Sequence, residues 1–343
     1  MIAIHACFLD VGALSPLDLA PGAGENAPME TSPSILRCIG QTPMVRLTRL
    51  AAGLPIPVLA KCEFVNPGGS VKDRIALAIV EEAERAGRLA PGATLVEATA
   101  GNTGLGLALV AATRGYRLVC VLPEKMSVDK RAALAAAGAE VLITANAPPT
   151  SAENFQNVAR RRAAERGWFL TDQFANATNP IVHERTTGPE ILAQCGGRVG
   201  AFVTGVGTGG TITGVGRFLK AHCPGVRIVL ADPVGSRLAH LVDAAHPDYD
   251  AAYQVEGIGG SVLPAVCDLG VIDQAERVTD EESFAIARRL IREEGLLVGG
   301  SSGTTVAAAL RLAARGECDG PIVAVLADSW DRYLSRPWLR AGA

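Results

Sequence analysis

Asn66-Pro67-Gly68-Gly69-Ser70-Val71-Lys72-Asp73-Arg74 ends one apolar run and opens the next, and the rest of the chain is organised around that junction. Asn-Pro-Gly-Gly cannot continue the strand-like run Val58-Leu59-Ala60, and the following Ile75-Ala76-Leu77-Ala78-Ile79-Val80, with Glu81, Glu82 and Glu84, reads as an amphipathic helix. Lys72 therefore sits near a helix N-terminus. The helix dipole disfavours an ammonium there and partial burial acts the same way, so the amine is easier to keep neutral and nucleophilic, the state that forms a Schiff base. Two plainer readings compete: a solvated surface lysine, and a phosphate loop. The second fails, because a Walker loop needs Gly before the lysine and Ser or Thr after it, and Val71 and Asp73 hold those places.

Outward from this junction, short apolar strands alternate with helices along most of the chain. Thr94-Leu95-Val96-Glu97 leads into the loop Thr99-Ala100-Gly101-Asn102-Thr103-Gly104 and a helix from Leu105 to Thr113. Strand Leu118 to Pro123, helix Ser127 to Ala137, strand Ala139 to Ile143 and helix Ala152 to Arg166 follow. The second half repeats the pattern: strand Ala201 to Thr204, loop Gly205 to Thr211, helix Ile212 to His222 and strand Val226 to Asp232. It closes with helix Asp280 to Glu294, loop Gly299 to Gly303, helix Thr304 to Arg315 and strand Ile322 to Leu326. This predicts an α/β protein of two open, mostly parallel twisted-sheet domains with helices on both faces. The expected boundaries are a flexible extension over 1–32, one domain over 33–178 and a second over 179–343. Loops that open helices at strand C-terminal ends are where such sheets place ligands.

Composition narrows the function. With 48% hydrophobic residues and a net charge of −3, the chain can bury a large core and has no clustered basic block, so no nucleic-acid partner is expected. No apolar run is long enough for a membrane span, and the first 30 residues lack the basic start of a signal peptide. The expected setting is the cytoplasm and the expected partner a small molecule. Eight scattered cysteines without Cys-x-x-Cys spacing read as reduced, mostly core residues, and the five histidines include no pair at helical metal spacing, so no protein metal site is expected.

Gly205-Val206-Gly207-Thr208-Gly209-Gly210 satisfies G-x-G-x-x-G between a strand and a helix, and Asp232 ends the next strand, as in a dinucleotide fold. Glycine amides at a helix N-terminus bind any phosphate, however. The pattern identifies an anion site and leaves its owner open, a nicotinamide oxidoreductase included.

Taken together, five motifs resemble those of the pyridoxal-phosphate (PLP) enzymes of the cysteine synthase and cystathionine β-synthase family, the fold type II group that includes tryptophan synthase β. They are Asn66 to Arg74, Thr99 to Gly104, Gly207 to Gly214, Val255 to Gly259 and Gly300 to Gly303. The likeness runs from Ser34 to Leu334. Pro123-Glu124-Lys125-Met126-Ser127 and Glu294-Gly295-Leu296-Leu297 look more like the cystathionine β-synthase branch. The resemblance implies a homodimer that replaces the β-substituent of L-serine or an O-activated serine by way of an α-aminoacrylate, with a thiol or sulfide as nucleophile, to give cysteine or cystathionine. An amine nucleophile, as in 2,3-diaminopropionate-forming relatives, and a catalytically silent binding protein are the alternatives.

The same resemblance assigns residues. Lys72 would carry the cofactor and remove the substrate α-proton, and Asn102 would bond the ring 3′-oxygen. Gly207, Thr208, Gly209, Gly210 and Thr211 would bind the phosphate, and Ser301 would face the ring nitrogen. Thr99, Ala100, Thr103 and Gln173 would meet the substrate carboxylate, with Gly257 and Gly259 allowing close approach. The domain over 33–178 would thus carry the lysine and substrate loop, and 179–343 the phosphate loop and the serine. Three departures stand out: Ala100 where serine is usual, Ala327 where proline is usual, and Gly260 where cystathionine β-synthases tend to have tyrosine.

Overall fold

The computed structural model describes residues 31–99, 101–248 and 250–340, so the expected extension over 1–32 lies almost entirely outside the described residues. In chain order the elements are β1 (Met44–Arg46), β2 (Val58–Cys62), α1 (Lys72–Arg85), β3 (Thr94–Ala98), α2 (Asn102–Arg114), β4 (Arg117–Pro123) and α3 (Val128–Ala136). Then come β5 (Glu140–Thr144), α4 (Phe155–Arg166), β6 (Phe169–Leu170), α5 (Thr178–Val182), α6 (Gly188–Gln194), β7 (Ala201–Thr204), α7 (Gly210–His222), β8 (Arg227–Pro233) and α8 (Leu238–Val242). The chain closes with β9 (Gln274–Val278), α9 (Asp280–Glu294), α10 (Gly300–Arg315), β10 (Ile322–Leu326) and α11 (Pro337–Arg340).

Among the described residues two sheets result, as the alternation predicts. One runs β5-β4-β3-β6 and is wholly parallel; the other runs β1-β2-β10-β7-β8-β9 and is parallel except for β1, which is antiparallel to β2. Successive residues of each strand feed opposite cores. Ala201 and Val203 of β7, with Ile322, Ala324 and Leu326 of β10, face one side. Phe202, Val323 and Val325 face the other. In the smaller sheet Leu95, Leu118, Cys120 and Leu122 line one core and Val96, Ala98, Val119 and Val121 the other. Burial on both faces is why these strands read as continuous apolar runs.

Sheet membership crosses position 178: β1 and β2 pair in the sheet that also holds β7 to β10, with β10 inserted between β2 and β7. The C-terminal ends of β2, β10 and β7 therefore lie side by side. From them emerge the turn to Lys72, Asp328, and the glycine loop 205–210. Val71 N–H donates to the Ala327 carbonyl at 2.9 Å, stitching the Lys72 turn to the end of β10.

Helix boundaries follow the caps. The helix expected from Ala152 begins at Phe155, because the Asn154 side chain accepts from Gln156 N and caps it. Helix α9 starts behind Thr279, whose hydroxyl accepts from Glu282 N, with Asp280, Glu281 and Glu282 in its first turn. Strand β9 and a π-helical turn over His183–Thr187, joining α5 to α6, have no counterpart in the sequence reading. Strand β9 is a sheet edge with only Ala275 and Val278 buried, so its alternation is faint.

Candidate active site

A cavity of about 1080 Å³ opens where these strand ends meet, lined by Lys72, Asn102, Gly207, Thr208, Gly209, Thr211 and Ser301, and by Thr99, Thr103, Gln173 and Gly257. Of the described residues the motifs single out, only Gly210 is not on this wall. Ala100 lies outside the described residues. Gly210 sits behind the wall, where an added Cβ would come within 1.8 Å of Asn179 Oδ1.

Lys72 is the first residue of α1. Burial lowers its amine pKa from the ordinary value, and the nearby carboxylates of Asp328 and Glu63 oppose that shift without overcoming it. Behind it a buried ionic network fixes the helix. Arg74 binds Glu63 at 2.8 Å and Glu190 at 2.7 Å, and Lys61, buried in β2, binds Glu190 at 2.7 Å. Burial would raise the Glu190 carboxyl, but its bonds to Arg74, Lys61 and Gln41 N hold it down at about 2. Because Glu190 lies on α6, the network clamps α6 against α1 and β2.

Asn102 opens α2 and donates through Nδ2 to Asp328 Oδ2 at 2.8 Å. Asp328 also accepts from the Tyr333 hydroxyl at 2.7 Å, and burial first, then Asp328, raises that phenol well above its ordinary pKa, so it stays a donor. Lys130, buried on α3, reaches the Tyr333 oxygen at 3.3 Å and Glu256 at 2.9 Å; Arg336 completes the chain on Glu256 at 2.5 Å. Asn102 Oδ1 is buried without a protein partner. A continuous polar chain thus runs from the loop carrying Glu256 to the amide facing the cavity.

The glycine loop turns at Gly209, φ +85°, into the N-terminus of α7, whose 13 residues aim their dipole at it. It is packed from behind: an added Cβ would meet Gly257 O at 2.3 Å from Gly207 and Cys267 Cβ at 2.3 Å from Gly209. Gly259 N donates to Val206 O at 2.8 Å, tying the 257–260 loop to the same turn.

On the opposite wall the Thr99 hydroxyl accepts from Gly101 N at 2.9 Å, and the Thr103 hydroxyl donates to Gln173 Oε1 at 2.5 Å. Gln173 Nε2 donates to Ala98 O at 2.9 Å. Under them Glu97 is fully buried in β3 and accepts from the Thr171 hydroxyl and Gln173 N. Burial pushes its carboxyl up to about 8, against those two bonds. Between Thr171 and Gln173, Asp172 adopts φ +45°, rare for a residue with a side chain.

Lys130, Tyr333, Asp328 and Glu97 are site residues that motif reading does not assign. Their signal lies in contacts across 74 to 226 positions, except that a Glu inside an apolar strand is itself a flag. The competing dinucleotide pattern loses its second element. Asp232 is fully buried off the cavity wall, accepts from Ala239 N at 2.8 Å, and is pushed by burial to about 6.

A family model for pyridoxal-phosphate dependent enzymes matches residues 35–328. The chain belongs to that family, and its cofactor is pyridoxal phosphate. It is 49% identical over 308 residues to the cystathionine β-synthase of Rattus norvegicus and 44% identical to that of Apis mellifera, in each case over 89% of this chain. It spans 55% of the rat protein and 61% of the bee protein, little more than half their length. The solved structure of O-ureido-L-serine synthase superposes with a TM-score of 0.84 at 40% identity, covering 91% of this chain and 96% of that one. The cavity fits the cofactor chemically. It offers a buried amine held toward neutrality, a glycine loop at a helix N-terminus for a phosphate, and, in Asn102, an amide nitrogen with a second proton beyond the one given to Asp328. Among the described residues, no helix is long and apolar enough to cross a membrane.

Proposed function

We propose that this chain catalyses β-replacement on L-serine or an O-activated serine such as O-acetylserine, with a thiol or sulfide as nucleophile, giving cysteine or cystathionine. One observation carries the reading: Lys72, Asn102, the glycine loop and Ser301 line a single cavity, in a chain 49% identical to a cystathionine β-synthase. When bound, pyridoxal phosphate supplies an electron sink for the charge left when the α-proton departs. Lys72 would hold the cofactor aldehyde and, once released, take that proton; burial lowers its pKa and so favours the neutral amine that can accept it. Asn102 would donate to the ring 3′-oxygen. Gly207, Thr208, Gly209, Gly210 and Thr211 would bind the phosphate, Gly210 through its main-chain N–H alone. The Ser301 hydroxyl would face the ring nitrogen without holding it protonated, which weakens the sink and favours expulsion of the β-substituent. Thr99, Ala100, Thr103 and Gln173 would bind the substrate carboxylate beside Gly257. A homodimer in the cytoplasm is part of the same proposal.

A second reading, with an amine nucleophile, is favoured by Gly260. An added Cβ there meets only Val262 O, at 3.7 Å, so the space a tyrosine would fill is open to other acceptors. A competition assay decides: the chain, reconstituted with pyridoxal phosphate, is given O-acetylserine with sulfide, homocysteine, cysteine and glutamate together. Sulfide or homocysteine products should lead, and exclusive reaction with the amine would move the chain to the second reading. Lys72→Ala should lose borohydride-fixable cofactor and about 10³-fold in rate. A cofactor still fixed by borohydride in that variant would overturn the assignment of Lys72.

A further inference from the structure

We propose that Asn179 and His183 are positioning residues that set the hydroxyls of Thr208 and Thr211 as donors to the cofactor phosphate, His183 acting as the Nε2–H tautomer. The inference rests on the reading of the glycine loop given above. Asn179 and His183 stand four residues apart, on α5 and at the start of the π turn that continues it, so they share one helix face. That face meets α7 at Gly210 and Gly214, also four apart. An added Cβ would lie 1.8 Å from Asn179 Oδ1 at the first glycine, and 2.1 Å from Pro180 O and 2.8 Å from His183 Cβ at the second. The two glycines thus let α5 approach until its side chains reach the phosphate loop. A π turn at this point widens the helix by one residue, a local distortion that recurs at functional sites.

The hydrogen bonds set directions. Asn179 Nδ2 donates to Gln173 O at 2.8 Å and to Thr208 Oγ1 at 3.0 Å. Since Gln173 O can only accept, the amide nitrogen must face this side, and Thr208 Oγ must accept from it. The hydroxyl proton of Thr208 is then free for the cavity. His183 is buried, with Nδ1 2.9 Å from Thr187 Oγ1 and Nε2 3.2 Å from Thr211 Oγ1. Burial, and then the charges of Arg74 and Lys72, lower its pKa well below the ordinary value, so the ring is neutral with one donor and one acceptor. If Nε2 carries the proton, Thr211 accepts and its own proton also faces the phosphate, while Nδ1 accepts from Thr187. The opposite tautomer would point the Thr211 proton away and present lone pairs to an anion. Asn179, by also holding Gln173, links the phosphate cup to the opposite wall of the cavity.

The test separates phosphate positioning from packing by using two ligands that share a ring and an aldehyde. The 343-residue chain is stripped of cofactor and titrated with pyridoxal 5′-phosphate and with pyridoxal, which lacks the phosphate. Asn179→Asp, which keeps the volume but turns a donor into an acceptor, should weaken the phosphate ester by about tenfold or more. Its affinity for pyridoxal should stay within about twofold. His183→Leu should lose about tenfold for the phosphate ester alone, and His183→Gln, which retains a donor, should recover most of it. In a Thr208→Ala background, Asn179→Ala should add less than about twofold. Nitrogen-15 shifts of His183 should report the Nε2–H tautomer. Equal weakening of both ligands, or the Nδ1–H tautomer, would overturn the proposal while leaving the phosphate loop in place. If Thr208→Ala and Thr211→Ala leave the preference for the phosphate ester intact, the loop assignment fails and this inference with it.

Discussion

Glu97→Gln should change sign with pH: destabilising below about pH 6 and stabilising above it. Glu97 is fully buried in β3, with one carboxyl oxygen bonded to Thr171 and Gln173 and the other without a partner. Burial raises its pKa from 4.5 to about 8. Between those values the unfolded chain gives up the proton while the folded chain keeps it. The unfolded state then binds fewer protons, so stability falls as pH rises through this window and levels off above it. At about 1.4 kcal/mol per pH unit the loss is on the order of 5 kcal/mol by pH 8. Glutamine mimics the protonated acid at every pH and has no such slope. Its cost is a fixed one of about 1–3 kcal/mol, because its amide nitrogen brings two N–H groups to the place where the protonated acid has one O–H, and the added donor finds no acceptor. The two terms cross near about pH 6, and by pH 8 the variant should lead by on the order of 3 kcal/mol. Urea unfolding of both proteins from pH 5 to about 8.5 measures the difference, in which all other titrating groups cancel. A difference that does not vary with pH, or one that grows in favour of the wild type as pH rises, would refute the reasoning.

Gly303→Ala places a Cβ 1.8 Å from Ser283 O between α9 and α10, and should cost about 3 kcal/mol or more of unfolding free energy in a urea titration. Lys130→Met removes a buried ammonium from Glu256, which keeps Arg336, so a loss of about 2 kcal/mol is expected, below that for a fully orphaned carboxylate. Should the variant match the wild type, the polar chain from Glu256 to Asn102 contributes nothing to stability. Gly260→Tyr meets no obstacle at its Cβ and should fold normally while narrowing the range of accepted nucleophiles; an unchanged product ratio in the competition assay counts against that subsite. Ser301→Asp should shift the visible absorption of the bound cofactor and slow loss of the β-substituent, and a spectrum identical to the wild type would detach Ser301 from the ring nitrogen.

What was legible in the sequence was what is local. The apolar strand runs follow from burial on both faces, and Lys72 follows from a Pro-Gly-Gly turn that a helix must leave. Contacts made between distant segments were not legible. Lys72 and Asp328 become neighbours only because β10, the last strand, inserts between β2 and β7, and no pattern within either segment announces that insertion. Asn179 and His183 gave no signal because their partners lie in a loop some thirty positions ahead. Glycines were half legible. Gly210 suits both a phosphate loop and a close helix contact, and only the Asn179 oxygen beside it distinguishes the two. The departures from the family pattern divide the same way. Ala327 contributes a carbonyl to Val71 N, which a proline would supply equally, so that difference should be nearly silent. Gly260 leaves open space on the cavity wall, so under the proposed reaction the choice of nucleophile, rather than the fold or the cofactor, is where this chain should differ from its relatives.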